Sequence, residues 1–341
     1  MAHVGLIGIG VYLPENTVSN VEISERTGGV WSPEAVKEKL GINQKYEATQ
    51  KEGTQIMGAW AAQKAIEDAG ISADDIDVIL CISDEWKEHP LTTSAMVVQD
   101  YIGANNAWGI DVQNRCSTTI SAMKMAKDMI LGSDDIETVL IAGGYRNGDL
   151  IDYTEKDSSM FFDLSAGGGA FILQKNAGKN VLLGSKIISD GSVAHYAGVE
   201  IGGINQPATK DNVEEAYHSL KLMNAPELKA MLNTKSMDNW MLCIDEALAK
   251  SDLTRDDIDY LNILHIKRSG HLDMLNRLNL TEDQSVYLED YGHVGQIDQM
   301  ISMQLGLEQG KIQDGSVVCT IAAGIGYAWA ANVIKWGPYH E

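Results

Sequence analysis

Apolar residues recur along this chain in short runs, and stretches of helical period separate most of the runs. VGLIGIGVYL, DVILCIS, TVLIAGG, AFILQK, YLNILHI, SVVCTIAAG and AWAANVIKW are of strand length and almost continuously apolar, the pattern of strands buried on both faces. Alternation with helices predicts α/β layers. Two segments repeat. Residues 66–80, IEDAGISADDIDVIL, are echoed by residues 248–262, LAKSDLTRDDIDYLN. Each runs from an amphipathic helix end through DDID into an apolar strand. A second echo links FFDLSAGGGAFILQ at 161–174 with VCTIAAGIGYAWAA at 318–331. Helix–strand units recurring in the same order predict duplicated α/β halves, taken as residues 1–175 and 176–341. The more polar stretch 190–235 holds two of the six prolines and is expected to cap one end of the second half.

Composition narrows the function classes. The chain is 44% hydrophobic and 22% charged, ordinary for a globular enzyme. No apolar run approaches the roughly 20 residues of a membrane span, and no secretory signal is read at the N-terminus. Cys81, Cys116, Cys243 and Cys319 show neither paired nor metal-type spacing, so no disulfide framework or metal site is expected and a reducing cytoplasm fits. The net charge of -22 repels nucleic acid and anionic lipid. It also repels an acidic carrier protein unless a local basic patch overrides it.

The sharpest chemical signal is NRCSTTISAMKMAKDMILG, residues 114–132. Cys116 follows the strand-like WGIDVQN and stands where a helix begins, and helix N-termini favour thiolates. A lone cysteine is just as often a buried, inert hydrophobe, so both readings stay open on local grounds. A thiolate needs a proton acceptor and an oxyanion donor. His265 ends the apolar strand YLNIL, where strand C-termini of α/β sheets gather functional groups. His293 lies in DYGHVGQ between two glycines that let the backbone turn sharply. His271 reads as surface or structural. The acidic loop SDEWKEH, residues 83–89, offers a carboxylate base or is only solvated. GIG at 8–10 and GGG at 167–169 lack the full spacing of a dinucleotide fingerprint.

Taken together these motifs resemble the thiolase superfamily, in its branch of ketoacyl synthase III and 3-hydroxy-3-methylglutaryl-CoA synthase, over nearly the whole chain. VGLIGIGVYLPENTVSN resembles that branch's opening strand with its G-x-Y-x-P turn. EKLGI at 38–42 is similar to its R-T-G-I element, and Cys116 falls on the nucleophile. FFDLSAGGGAFIL is similar to F-G-D-G-A-G. IDYLNILHIKRSG sits at the second-half histidine, and CTIAAGIGYAWAANVIKW resembles the closing G-G-G-x-x-W-G element. The resemblance implies a thiolase fold, two α/β halves in five α-β-α-β-α layers.

The resemblance also implies roles. Cys116 would take an acyl group from coenzyme A as a thioester, and His265 would stabilise an enolate or move a proton. In ketoacyl synthase III the third residue is an asparagine in Y-G-N. Here that place is Tyr291-Gly292-His293, giving a Cys-His-His set. The second cysteine of ordinary thiolases falls at Thr320, with Cys319 one residue off and so on the opposite strand face. The glutamate base of hydroxymethylglutaryl-CoA synthase falls in SDEWKEH, which offers Asp84, Glu85 and Glu88, with Asp84 and Glu85 preferred. Trp31 is similar to the tryptophan that stacks on adenine, and Lys39, Lys156, Lys267 and Arg268 to basic positions near the phosphates and the pantetheine tunnel. No cofactor would be bound permanently; the coenzyme A thioester is substrate.

The expected activity is acyl transfer that forms or cleaves a carbon–carbon bond α to a thioester, non-decarboxylating, with acyl-CoA substrates. The alternatives are a decarboxylating 3-oxoacyl synthase III using a malonyl thioester, and a non-catalytic subunit that binds coenzyme A or a partner. A homodimer is expected, and some relatives in this branch also engage a small zinc-ribbon/OB-fold subunit.

Overall fold

The computed structural model describes residues 2–339. One mixed sheet of nine strands runs through it. In chain order these are β1 (Val4–Tyr12), β2 (Val78–Cys81), β3 (Trp108–Asp111), β4 (Thr138–Tyr145), β5 (Gly167–Lys175), β6 (Lys179–Ser189), β7 (Tyr260–Ile263), β8 (Val317–Gly324) and β9 (Ala328–Pro338). Every apolar run picked out in the sequence forms a strand. KNVLLGSKIIS, which forms β6, was not among them because lysine and serine interrupt its apolar positions.

The spatial order is β7-β8-β9-β6-β1-β5-β4-β2-β3. It divides at β6 and β1, which share a single paired position, Gly5 with Val181. On one side, β1, β5 and β4 pair antiparallel and β4, β2 and β3 parallel. On the other, β6, β9 and β8 pair antiparallel and β8 and β7 parallel. The two sequences of orientations match strand for strand. A lone parallel bridge from Leu261 to Ser285 stands where the second half would have its counterpart of β3.

The DDID repeat has a structural cause. In both halves it closes a 3-10 turn and enters the parallel strand. Its last aspartate then staples the neighbouring strand. Asp77 accepts the main-chain N–H of Thr138, and Asp259 that of Val317, both at 2.8 Å. The second echo is equivalent only in its tails. VCTIAAG is β8, the counterpart of β4, whereas FFDLSAG runs through a 3-10 turn into β5.

Helices complete five layers. Helix α1 (Pro33–Leu40) lies at the rim; α2 (Thr54–Ala69) covers the outer face of β1, β5 and β4. Gly10 permits this contact, because a Cβ there would come within 2.0 Å of the Ala61 carbonyl oxygen. Helix α3 (Ser94–Ile102) packs on α2 and β3. Helix α4 (Thr118–Gly132) and helix α7 (Asp298–Glu308) fill the space between the half-sheets, each touching strands of both. Helix α5 (Met237–Ala249) covers β6, β9 and β8, and α6 (Arg268–Arg277) follows β7. The stretch 190–235 holds a small two-stranded sheet and short helices, as expected of a cap. No helix among the described residues is long and apolar enough to cross a membrane.

Candidate active site

The candidate reaction centre lies near the starts of α4 and α7, between the half-sheets. After β3 the chain turns through Val112–Asn114 into a 3-10 turn, Arg115–Ser117, that runs on as α4. Arg115 takes a left-handed backbone with φ of 51°, which costs a non-glycine residue about 1–3 kcal/mol. The turn is held locally: Thr118 Oγ1 accepts the Asn114 N–H at 2.8 Å and donates to the Arg115 carbonyl at 2.5 Å. Cys116 thus sits in the first turn, half-buried. The other three cysteines are enclosed, and burial pushes their thiols up to about 12. They are inert by position. Cys319 is one of them, on a strand face away from the centre, and Thr320 is tied to Asn262.

His293 arrives from the second half. Its Nε2 lies 3.1 Å from the sulfur of Cys116. Its Nδ1 donates to Oδ2 of Asp298 at 2.6 Å. The carboxylate therefore fixes which ring nitrogen carries the proton and turns the other towards the thiol. Burial opposes a charged ring, but the Cys116 and Asp298 charges outweigh it and hold the imidazolium well above the ordinary histidine range. Asp298, which opens α7, also accepts the N–H groups of Val294 and His265 at 2.7 Å each. Gly295, with φ of 59°, lets this loop pass the ring of Tyr145, which a Cβ would strike at 2.4 Å.

His265 follows β7 and does not reach into the open part of the site. Its side chain is fully enclosed. Nε2 donates to the carbonyl of Leu40 at 2.9 Å, and Nδ1 is buried without a partner. Asp163 stands 3.7 Å from the same Nε2. His271 is buried behind, its ring packed on Tyr287, and burial lowers it to about 4.

The loop carboxylates meet the nucleophile's neighbour. Asp84 lies 3.3 Å from one nitrogen of the Arg115 guanidinium and Glu85 2.8 Å from another. Asp84 is enclosed, and burial raises its carboxyl in spite of the arginine. Glu88 caps α2 through the N–H groups of Gln55 and Ile56.

Of the expected coenzyme contacts, Trp31 and Lys39 come together, with the Lys39 ammonium 4.6 Å from the ring centre. Trp31 packs on Phe162, immediately before Asp163. Arg268 abuts the end of α1, where a Cβ on Gly41 would lie 3.2 Å from its main-chain nitrogen. It also stacks on Tyr287 and pairs with Glu282. Lys267 is exposed beside it. Lys156 opens an exposed 3-10 turn and, among the described residues, bonds none of the other four.

Sequence reasoning passed over Asp298, Asp163 and Arg115. Asp298 had a local signal, a carboxylate five residues beyond a glycine-flanked histidine. Asp163 stood inside a quoted motif. Nothing in the sequence revealed that Arg115 would pair with residues 84 and 85.

Two consecutive family models match the chain: 3-oxoacyl-[acyl-carrier-protein] synthase III over residues 110–191, and its C-terminal part over residues 248–336. A beta-ketoacyl-[acyl-carrier-protein] synthase III of Clostridioides difficile is 29% identical, covering 97% of this chain and 98% of its own. One of Caldanaerobacter subterraneus is 27% identical, covering 97% of each. Among solved structures, the 3-oxoacyl-[acyl-carrier-protein] synthase III of Aquifex aeolicus superposes with a TM-score of 0.83 at 19% identity, over 98% of this chain and all (100%) of the other. Xanthomonas campestris OleA does so with 0.81 at 16% identity, over 98% of each chain. At these identities the structural likenesses speak for the fold.

Proposed function

We propose that this chain, which belongs to the 3-oxoacyl-[acyl-carrier-protein] synthase III family of the thiolase superfamily, is an acyl-CoA-dependent transferase that makes or breaks a carbon–carbon bond without decarboxylation. One alignment carries the reading: Cys116, His293 and Asp298 in contact, at 3.1 and 2.6 Å. The thiolate attacks the carbonyl of an acyl-CoA. The main-chain N–H of Cys116, at the start of a helix, is placed to receive the developing oxyanion. Gly324 keeps that region clear, since a Cβ there would come within 3.0 Å of the Cys116 nitrogen. His293 gives its proton to the departing coenzyme A thiolate. Once Cys116 is a neutral thioester, one of the two charges that held the imidazolium is gone and only that of Asp298 remains.

The carboxylate behind His293 favours the non-decarboxylating chemistry. An amide at this place only donates to a thioester oxygen, whereas an imidazole backed by Asp298 passes protons in both directions. An acidic carrier protein is disfavoured by the surface around Tyr153. A cavity of about 820 Å³ opens beside Tyr153, with Glu47, Asp149, Asp152, Glu214 and Glu215 against Arg26 and Lys221. Such a rim repels an acidic protein. The free edge of β3, with Trp108 and Ile110 exposed, suits pairing with a second copy.

A second reading, decarboxylating condensation with a malonyl thioester, draws on the names of the relatives that span 97% of the chain. Intact-protein mass spectrometry separates the two. The enzyme is loaded with acetyl-, succinyl- or benzoyl-CoA, then given malonyl-CoA or free coenzyme A. Release of the adduct by coenzyme A with malonyl-CoA inert is the result expected. Discharge by malonyl-CoA with loss of carbon dioxide overturns the reading in favour of the second.

A further inference from the structure

Three carboxylates lie at the candidate reaction centre, Asp84 and Asp298 buried and Asp163 partly open, and they differ in what they touch. Asp298 accepts three hydrogen bonds, from the Nδ1–H of His293 and the main-chain N–H groups of Val294 and His265. Asp84 accepts from the N–H of Glu85 at 2.7 Å, from Asn147 at 3.1 Å and from Arg115 at 3.3 Å. Asp163 accepts none among the described residues. Its Oδ2 lies 3.7 Å from the His265 Nε2, whose proton is already given to Leu40. Carboxylates largely withdrawn from water are ordinarily paired or well bonded; Asp163, open on one side and without such a bond, points to a ligand.

The surroundings fix that carboxylate in place. The ammonium of Lys45, itself enclosed, donates to the carbonyls of Phe162 and Leu164 on either side of it, at 2.9 and 2.7 Å. The N–H of His293 donates to the Asp163 carbonyl at 2.9 Å, and the N–H of Ser165 to the carbonyl of His293 at 2.9 Å. The Asp163 side chain keeps 13% exposure while that of His265 keeps none. A substrate entering the site therefore reaches the carboxylate and not the imidazole.

We propose that Asp163 is the catalytic base of the carbon–carbon bond step, with His265 as its positioning residue; this deepens the non-decarboxylating reading and rests on it. The α C–H bond of the second thioester breaks, and its proton goes to a carboxylate oxygen of Asp163. The electron pair passes into the thioester carbonyl as an enolate, which attacks the acyl group on Cys116 and expels the thiolate. In cleavage the protonated Asp163 returns the proton to the same carbon. Burial, opposed by His265, His293 and Lys45, holds this carboxyl above its ordinary range, which makes it a stronger proton acceptor. Asp84, saturated, serves instead to hold Arg115 beside the nucleophile.

Asp163→Asn tests this with three readouts on the whole protein. Acylation of Cys116 by acetyl-CoA is expected to stay within about threefold of wild type, which also reports an intact fold. Exchange of the acetyl-CoA α-hydrogens in D2O is expected to fall about 100-fold or more, the usual weight of a general base. Any malonyl-CoA decarboxylation, which needs no base at carbon, is expected to persist. Equal loss of acylation and exchange marks a structural role and overturns the assignment. So does retained exchange in Asp163→Asn, or its loss in Glu85→Gln alone. Wild-type protein that decarboxylates malonyl-CoA but never exchanges the α-hydrogens removes the non-decarboxylating reading itself, and the base with it.

Discussion

The Nε2 atom of His293 lies 3.1 Å from the sulfur of Cys116, although 177 positions separate the two residues in the chain. Cys116 stands in the turn that opens α4 and His293 in the loop that leads into α7, and each helix is clamped between both half-sheets. The contact is therefore set by the packing of the two halves. A cysteine at a helix start is unremarkable alone; one facing an imidazole that a carboxylate has already oriented has the geometry of the proposed nucleophile.

Asp298→Asn keeps the shape of the side chain and removes the charge that orients His293. Acylation of Cys116 is expected to slow by about 100-fold or more, measured by stopped-time mass spectrometry with acetyl-CoA. Asp298 also serves two main-chain N–H groups, and an amide offers one oxygen for three donors. A loss of about 1–3 kcal/mol in stability should accompany the loss of rate.

The ion pair makes a pH prediction. The His293 proton is held in the folded protein by Cys116 and Asp298 against burial, so its folded value lies above its unfolded one. Its contribution to stability is then complete below the unfolded value near 6.5 and disappears as pH rises through the folded value. Cys116→Ala removes the strongest of the favourable charges. In that variant the imidazole should titrate at lower pH than in wild type, read from histidine ring resonances. An unchanged titration would show that the sulfur carries no charge.

Much of the architecture was legible and less of the site was. The strands were legible because both their faces are buried, so each is a run of apolar residues that needs no partner to be recognised. The duplication was legible because Asp77 and Asp259 each bind a neighbouring strand, which constrains the residues around them in both halves. Cys116 and His293 were legible through their turns and through the family's motifs. Asp298 and Asp163 were not, since what distinguishes them is whether their oxygens are satisfied: Asp298 by N–H groups of His265, His293 and Val294 that only the folded loop brings to it, and Asp163 by nothing in its own segment. His265 was found, but its enclosure behind Asp163 follows from where α1 ends, at Leu40.

Asp163→Asn should also stabilise the protein. Its carboxyl is raised by burial, so the folded state loses stability as pH climbs from the unfolded value towards the folded one, and the deficit persists above it. An amide carries no such deficit. The variant is expected to melt higher than wild type at pH 7 and to match it more closely near pH 4, a trade of activity for stability typical of functional residues. A lower melting temperature at pH 7 would contradict this.

Gly324→Ala probes the floor beneath the nucleophile. The added methyl group would lie 2.7 Å from the Asn114 carbonyl and 3.0 Å from the Cys116 nitrogen. The turn must shift, at a cost of about 1–3 kcal/mol. Acylation is expected to fall more than 10-fold with coenzyme A affinity unchanged, a split that separates this effect from general unfolding.

Trp31→Ala and Lys39→Ala test the proposed coenzyme end of the site. The two side chains touch at 4.6 Å, so their effects should overlap rather than add. Each is expected to raise the KM for acetyl-CoA by about three- to tenfold, a loss of about 1 kcal/mol, with little change in kcat. A hydrolysis assay using a short acyl-pantetheine, which lacks the nucleotide, should not distinguish either variant from wild type.

The seam between β1 and β6 has a consequence of its own. Cys116, Asp163 and the Leu40 carbonyl come from one side of it, and His265, His293 and Asp298 from the other, while the sheet itself crosses at one paired position. Neither side owns a working set of groups. Catalysis here is a joint possession of two similar bodies, and a slippage of an ångström between them would silence the enzyme while leaving each body folded. On gentle warming, activity should therefore disappear before the far-ultraviolet signature of helices and strands begins to change.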